Sequence, residues 1–233
     1  MHRIRVERGF RRHAPWTTRF TIDGRTYGGD VDFTGDVRVA EFRAAFPGAR
    51  TVLDLGALEG AHAIDLATTA DRVVAVEARQ GNVARARFAI DALGVRNVEV
   101  VHADVEVAGP AAFGTFDAVF CSALLYHLQR PAALLDRLRD ASPNVYLWTH
   151  VAAPPGRDTH AIDGLRGEWR AEPDDHDDPA GDPTVGLNPR SFWPTLDAVV
   201  DRLATHGFDD VDATPRDHPA GPAATVIARA APR

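Results

Sequence analysis

Short apolar runs and helical segments alternate regularly between residues 51 and 149 of the chain. The apolar runs are nearly continuous, which is typical of strands that are covered on both faces of a parallel sheet. They occupy residues 51–55, 72–77, 98–102, 116–121 and 144–149, and helical patterns occupy residues 61–70, 82–93 and 131–141, with a short helical turn at 110–113. The alternation predicts an α/β protein with a doubly wound sheet, whose ligands bind beyond the carboxyl ends of the strands.

The first apolar run leads into the sequence DLGALEG, which contains Gly56 and Gly60 and precedes a helical pattern. Glycine tolerates unusual backbone dihedral angles and lets the backbone approach a ligand closely, and the free N–H groups at a helix start can bind it. The turn is therefore either a ligand cradle or a plain connection between a strand and a helix, and the turn alone does not distinguish the two.

Polar groups also follow the next three strands. Glu77 ends the second strand about twenty residues after Gly56, where a carboxylate can accept hydrogen bonds from ribose hydroxyls. Asp104 comes just after the third strand, where it can accept a hydrogen bond from an adenine amino group. The fourth strand runs into the segment from Ser122 to His127. Four successive strand ends thus carry groups suited to an adenosine ligand.

As a set, these motifs resemble the class I S-adenosylmethionine-dependent methyltransferases over residues 50–150, and more loosely over the C-terminal part. The resemblance implies a Rossmann-like seven-stranded sheet of order 3-2-1-4-5-7-6 with strand 7 antiparallel, S-adenosyl-L-methionine as cofactor and S-adenosylhomocysteine as product. DLGALEG, with SALLYHLQRP and NPRSFWPTL, resembles a bacterial subtype. The resemblance assigns cofactor binding to Asp54, Gly56, Ala57, Glu59, Gly60, Glu77, Ala78, Asp104, Val105, Ser122 and Tyr126.

Leu58 departs from the family's loop, which carries glycines at alternate positions. A leucine does not readily take a positive φ angle. Cofactor binding is compatible with a leucine here if the loop turns within the ordinary region of backbone space, and Glu59 is then placed to meet the amino group of the methionine part. The alternative is a degraded loop in a protein that binds no cofactor.

A methyltransferase must align the acceptor, exclude water and, for a hydroxyl acceptor, remove a proton. The chain has no lysine, so the candidate bases are His127, after the fourth strand, and His150, at the end of the fifth. Either histidine could act as a general base or orient the substrate. Each could equally be a structural histidine, packed around the cofactor or held by hydrogen bonds.

The flanking segments are expected to cover the acceptor. Residues 1–35 are predicted to form an arm with a β-hairpin that turns at Asp23 and Gly24, and residues 36–233 to form the methyltransferase domain. Residues 151–190, rich in proline and acids, are predicted to be a lid insertion. Tyr27 and Trp193 are candidate substrate contacts, although both could serve only in packing. A helix over 191–205 and strands over 208–211 and 223–230 complete the prediction.

We interpret the chain as a methyltransferase of a small molecule, acting on oxygen. A tRNA-modifying methyltransferase and a nonenzymatic cofactor-binding module are the alternatives; the net charge of −7 disfavours nucleic acid. The acidic run at 174–178 predicts no metal site, because consecutive loop residues do not converge on one ion. We expect a cytoplasmic protein without a membrane span, and the sequence holds no signal that selects an oligomeric state.

Overall fold

The structure is a computed structural model that describes residues 2–153, 160–172, 184 and 186–231. Its helices are α1 (His2–Arg12), α2 (Val37–Ala45), α3 (Ala61–Leu66), α4 (Gln80–Leu93), α5 (Val105–Ala108), α6 (Pro131–Ala141) and α7 (Leu196–Thr205). Its strands are β1 (Thr18–Ile22), β2 (Arg25–Gly28), β3 (Val31–Asp32), β4 (Thr51–Leu55), β5 (Arg72–Glu77), β6 (Val98–His102), β7 (Ala118–Ser122), β8 (Asn144–His150), β9 (His160–Ile162), β10 (Leu165–Ala171), β11 (Arg190–Pro194), β12 (Asp210–Arg216) and β13 (Ala223–Arg229).

The central sheet has seven strands in the order β6-β5-β4-β7-β8-β13-β12. The first five are parallel, whereas β13 runs antiparallel to β8 and to β12. The predicted strand order and the antiparallel seventh strand are confirmed. The chain reverses its direction of sheet growth beside β4, and the crevice outside the carboxyl ends of β4 and β7 is where such folds bind ligands.

The inner strands bury both faces, which explains their continuous apolar sequences. On one face Leu53 and Leu147 join a core completed by α6 and α7; on the other, Val52, Phe120 and Tyr146 join one completed by α2 and α3. Burying a side chain of this size stabilises the fold by about 1.5–3 kcal/mol. The two cores hold the strand ends rigidly in position.

The N-terminal arm contains a helix that the sequence analysis did not predict. In α1, Val6 and Phe10 are the buried residues, and Phe10 packs edge-on against Phe88 of α4 at 5.2 Å between ring centres. Because α1 has only two buried residues beside six arginine or histidine residues, its apolar periodicity is too weak for the sequence to distinguish a helix from a solvated arm. The predicted hairpin is confirmed: Asp23 and Gly24 both have positive φ angles at the turn between β1 and β2.

The insertion carries more regular structure than predicted. Strands β9, β10 and β11 form a separate three-stranded antiparallel sheet, and Trp169 packs edge-on against Phe192 across it. The predicted helix start at residue 191 is wrong, because Arg190–Pro194 pairs with β10 as a strand and α7 begins at Leu196. The acidic run at 174–178 lies outside the described residues.

The predicted strand at 208–211 is also shifted, since β12 spans Asp210–Arg216 and pairs along its whole length with β13. Among the described residues, no helix is long and apolar enough to cross a membrane.

Candidate active site

A cavity of about 500 Å³ opens at the carboxyl ends of β4, β5, β6, β7 and β8. Parallel strands end at the same edge of a sheet, so residues far apart in sequence meet there. The cavity brings together most of the predicted site residues: Gly56, Ala57, Glu77, Ala78, Asp104, Val105, Ser122, Tyr126, His127 and His150.

The loop after β4 has a positive φ angle at every second residue, although one of these residues is a leucine. Gly56, Leu58 and Gly60 have φ angles of 77°, 51° and 84°. The loop therefore does not turn within the ordinary backbone region at Leu58. This conformation costs a non-glycine residue about 1–2 kcal/mol. A hydrogen bond of 2.9 Å from the Leu58 N–H to Oε2 of Glu77 helps to hold it.

Glu77 and Asp104 each reach the cavity from a strand end. Oε1 of Glu77 accepts a hydrogen bond of 2.8 Å from the Arg79 N–H, and burial raises the pKa of its carboxyl. Oδ1 of Asp104 accepts one of 2.8 Å from the Glu106 N–H and caps α5. A carboxylate has about four lone-pair sites, so both residues retain acceptor capacity toward a ligand.

Asp54 lies beneath the loop with 2% of its surface exposed and does not line the cavity. Its Oδ2 has no hydrogen-bond partner among the described residues. Burial and, secondly, the charge of Glu77 raise the pKa of Asp54 to about 8. An unpaired buried acceptor is costly unless a donor or a cation approaches it. Protonation of Asp54 removes most of this cost, and the acceptors of Glu77 and Asp104 in the cavity fit a ligand with ribose-like hydroxyl donors and an amino donor.

Glu59 serves a different purpose from the predicted one. It is fully buried, and its carboxylate accepts hydrogen bonds from the backbone N–H groups of Thr17 and Thr18, the latter at 2.6 Å. Nε of Arg85 lies 3.7 Å from Oε1. These groups occupy the carboxylate, and Glu59 does not line the cavity, so in this structure Glu59 ties the hairpin to the loop rather than facing a ligand. Gly60 lies behind the cavity surface.

His150 lies on the cavity wall in a fixed orientation. Its Nδ1 lies 3.1 Å from the Pro222 carbonyl oxygen, which can only accept, so Nδ1 carries the proton and Nε2 the lone pair. Burial lowers the pKa of the imidazole, which is therefore neutral at pH 7. The ring stacks on Trp193 at 4.2 Å between ring centres. A neutral imidazole of fixed tautomer is suited to accept a proton.

His127 also lines the cavity, but its surroundings differ. Its Nδ1 lies 3.3 Å from Oε1 of Glu172, and its ring lies 4.1 Å from that of Tyr126. Burial raises the pKa of the Tyr126 hydroxyl, so this tyrosine stays protonated. Nδ1 of His127 forms no hydrogen bond among the described residues, so the orientation of its ring is less firmly fixed than that of His150.

Neither candidate substrate contact reaches the cavity. Tyr27 stacks on Phe10 at 5.1 Å between ring centres and belongs to the contact between hairpin and α1. Trp193 lies behind His150 and carries the Arg170 guanidinium 3.8 Å from its ring centre. Both predictions are corrected: these aromatic residues support the site from outside.

The sequence analysis missed part of the cavity wall. Phe33, Arg38 and His62 line the cavity beside Trp148 and His150, and we call these five residues the polar-aromatic wall. The Arg38 guanidinium lies 5.4 Å from the Trp148 ring centre, and its Nη1 donates to Ser122 Oγ at 3.0 Å. The only sequence signal for this part of the wall is Asp36, which occupies the helix-capping position just before α2.

Asp36, immediately behind this wall, joins two of its members. It accepts hydrogen bonds from Nε and Nη2 of Arg38 at 2.9 and 2.6 Å, and its Oδ2 lies 3.2 Å from Nε2 of His62. Burial opposes ionisation of Asp36, but the hydrogen bonds of His62 and Arg38 prevail and hold its pKa well below the usual range. Asp36 therefore stays negative and neutralises Arg38.

Comparison with known proteins gives a consistent set of similarities. A family profile described as "methyltransferase domain" matches residues 52–142. The crystal structure of the N-terminal domain of EvdMO1, determined in the presence of SAH and D-fucose, is 32% identical, with a TM-score of 0.85; the match covers 99% of this chain and 98% of that domain. A search of curated proteins found no match.

The complete EvdMO1 chain is 30% identical with a TM-score of 0.74, and the match covers 98% of this chain but 48% of that one. The chain thus spans about half the length of the complete EvdMO1. Magnesium protoporphyrin IX methyltransferase from Synechocystis PCC 6803, with bound SAM, is 17% identical over 85% of this chain and 78% of its own, with a TM-score of 0.58. At that identity the similarity concerns the fold alone.

Proposed function

The chain belongs to the class I S-adenosylmethionine-dependent methyltransferases, and we propose that it methylates a hydroxyl oxygen of a neutral, polyhydroxylated small molecule. The observation that carries this proposal is the polar-aromatic wall. Trp148 and Phe33 offer apolar ring surfaces, and Arg38, His62 and His150 offer hydrogen-bonding groups beside them. This combination suits a sugar-like ring, which has apolar faces and a polar rim.

The charge balance of the wall supports a neutral acceptor. Asp36 neutralises Arg38 through two hydrogen bonds. Burial lowers the pKa values of His62 and His150, so both are uncharged at pH 7. A carboxylate or phosphate would have to compete with Asp36 for the guanidinium, at the cost of a buried ion pair. The presence of D-fucose with the similar EvdMO1 domain agrees with an uncharged hydroxylated acceptor.

S-adenosylmethionine supplies a methyl group on a positively charged sulfur, which needs no further activation. On this proposal Glu77 accepts hydrogen bonds from the ribose, and Asp104, next to Val105, accepts from the adenine amino group. The loop from Gly56 to Gly60, with Ala57 and Ala78, surrounds the adenosyl part. Asp54 supplies the unpaired acceptor below the loop, and Ser122 and Tyr126 face the methionine part.

His150 is the proposed general base. Its Nε2 would take the proton of the acceptor hydroxyl as the oxygen–methyl bond forms and the sulfur–methyl bond breaks, with S-adenosylhomocysteine as the leaving group. Pro222 holds the ring through Nδ1. His127 is the second candidate, with the weaker geometry. General base catalysis contributes typically about 10²–10⁴-fold. We expect His150→Gln to lower kcat by a factor in that range with unchanged affinity for S-adenosylhomocysteine, and His127→Gln to lower kcat by less than about tenfold.

The test is a methyl-transfer assay with trideuteromethyl S-adenosylmethionine and a panel of D-fucose, other monosaccharides, phenols, amines and carboxylates. We expect an oxygen-linked trideuteromethyl group on a monosaccharide, identified by mass spectrometry and NMR. Transfer to nitrogen or carbon, or a preference for a charged acceptor, would contradict the proposal. Equal losses of kcat in His150→Gln and His127→Gln would remove the assignment of the base.

A further inference from the structure

Among the histidines that line the cavity, His150 and His62 lie on the polar-aromatic wall, and the proposed reaction uses only His150 of these two as a base. His150 is held through Nδ1 by the Pro222 carbonyl. His62, at the start of α3, is held through Nε2 by Asp36 at 3.2 Å. A single acceptor hydroxyl needs one base. The second oriented imidazole on the same wall therefore calls for another role.

We infer that the Asp36–His62 pair recognises a second hydroxyl group of the acceptor, other than the one that is methylated. This inference rests on the proposed function and adds a determinant of acceptor specificity to it. Asp36 accepts the Nε2 proton of His62, which leaves Nδ1 as a hydrogen-bond acceptor. A hydroxyl donor on the acceptor would satisfy that nitrogen.

The local packing keeps the His62 ring in one place. The ring contacts both Phe33 and Phe120, at 5.0 and 5.3 Å between ring centres, both edge-on. Asp36 is anchored by Arg38, which is itself bonded to Ser122. An imidazole confined by two aromatic rings and a carboxylate presents its remaining nitrogen in a fixed direction, and this rigidity allows discrimination between hydroxyl positions.

Continuity of the wall connects the two histidines. From His62 the contacts run through Asp36 to Arg38, whose guanidinium lies 5.4 Å from the Trp148 ring centre, and Trp148 lies 5.2 Å from the ring of His150. A ring-shaped acceptor lying on Trp148 would thus have a polar partner at each end: His150 for the reacting hydroxyl, and the Asp36–His62 pair for another.

The experiment compares two substitutions of His62 with matched acceptors. In His62→Gln the side-chain amide keeps a donor toward Asp36 but has no group at the position of Nδ1. In His62→Asn the amide oxygen takes the position of Nδ1, where it can accept a hydrogen bond but cannot act as a base. Both variants and the unaltered protein are assayed with D-fucose and with its 2-, 3- and 4-deoxy analogues that still accept the methyl group. Affinity for S-adenosylhomocysteine is measured by calorimetry.

For D-fucose, we expect His62→Gln to raise KM roughly 10- to 100-fold while kcat changes less than about threefold, because one hydrogen bond to bound acceptor is lost. His62→Asn should restore most of the KM. One deoxy analogue, lacking the recognised hydroxyl, should give the same KM with the unaltered protein and with His62→Gln. Affinity for S-adenosylhomocysteine should be unchanged in both variants.

Equal losses on every analogue would overturn the inference, since a structural role would not depend on one hydroxyl. A collapse of kcat in both variants would assign His62 to proton removal instead, and weaker S-adenosylhomocysteine binding would assign it to the cofactor; either result overturns the inference while the proposed function stands. Absence of transfer to any of these sugars by the unaltered protein would reject the proposed acceptor class, and this inference with it.

Discussion

Leu58 shows how a single residue can violate a local backbone rule without changing the shape of a loop. It takes the left-handed conformation between Gly56 and Gly60, and its N–H is bonded to Glu77 on the neighbouring strand. A hydrogen bond to a charged group contributes about 1.5–3 kcal/mol, which offsets a conformational cost of about 1–2 kcal/mol. The loop therefore has positive φ angles at Gly56, Leu58 and Gly60 although the middle residue is a leucine.

Substitutions of Leu58 should follow from its φ angle of 51°. Leu58→Val should lower the free energy of unfolding by about 1–2 kcal/mol, because a β-branched residue is a severe misfit at positive φ. Leu58→Gly, the matched control, should stay within about 1 kcal/mol of the unaltered protein, since released strain offsets the greater entropy of the unfolded chain. Urea unfolding measures both. A Val variant as stable as the Gly variant would rule out strain at this position.

Asp54 makes stability depend on pH. Its pKa is about 8 in the folded protein, from burial and from the Glu77 charge, against a reference value of 3.8. The folded state holds the proton more tightly than the unfolded state, so this stabilisation is complete below about pH 4 and is lost as the pH rises toward 8. Asp54→Asn removes the titration. Its stability relative to the unaltered protein should therefore increase between pH 4 and 8, then level off.

Asp117→Asn is the control for that measurement, because the pKa of Asp117 is shifted in the opposite direction. Burial opposes its ionisation, but hydrogen bonds from the N–H groups of Thr51 and Arg50 prevail and lower its pKa. Its contribution is present above its unfolded pKa and is lost in acid. A relative stability of Asp54→Asn that does not change between pH 4 and 8 would contradict the assignment of Asp54.

The predicted site residues that the structure places in the cavity are those fixed by local chain order. Glu77 and Asp104 follow strands, and the edge at which a parallel strand ends is determined by its direction. Asp36 and His62 were missed because their contact depends on how α2 packs on α3, which no local pattern records. Glu59 was placed correctly in the loop, but its direction depends on a hairpin some forty residues away in sequence.

At the scale of elements, Glu59 attaches the β1–β2 hairpin to the loop after β4, which we call the cofactor loop. Glu59→Gln should lower the free energy of unfolding by about 1–3 kcal/mol, because the amide provides one acceptor for two buried backbone donors. Chemical denaturation gives the value. Thr21→Ala, an exposed position on the same hairpin, should change it by less than about 0.5 kcal/mol. Equal effects of Glu59→Gln and Thr21→Ala would disprove that Glu59 holds the hairpin to the loop.

Element prediction succeeded where periodicity is local and failed where pairing is distant. The alternating core from β4 to β8 matched its pattern closely, because buried parallel strands and their covering helices have distinct compositions. Residues Arg190–Pro194 looked like the opening of a helix but form β11, because β10 supplies a hydrogen-bonding partner. Helix α1 is stabilised because its narrow apolar face, which includes Phe10, packs into a cluster of aromatic and apolar side chains from other elements.

At the scale of the whole molecule, a set of hydrogen bonds connects the N-terminal arm to the loop after β4. The hairpin is joined to the cofactor loop by Glu59, and Arg85 of α4 links the same carboxylate to the His13 carbonyl through a 2.9 Å hydrogen bond. Thr17 and Thr18 line the cavity on this side. Binding of cofactor to the loop should therefore also restrict the N-terminal arm, through a contiguous set of hydrogen bonds.

Hydrogen exchange can measure this coupling. S-adenosylhomocysteine at about 100 times its Kd should raise the free energy of unfolding by about 2.7 kcal/mol. It should slow exchange in the loop at 56–60 and also in the hairpin at 17–28, whereas α7, on the far side of the sheet, should change only as the global stability does. In Glu59→Gln the ligand should still protect the loop but no longer the hairpin. Hairpin protection that persists in this variant would show that the ligand orders the arm by direct contact, and the coupling through Glu59 would be refuted.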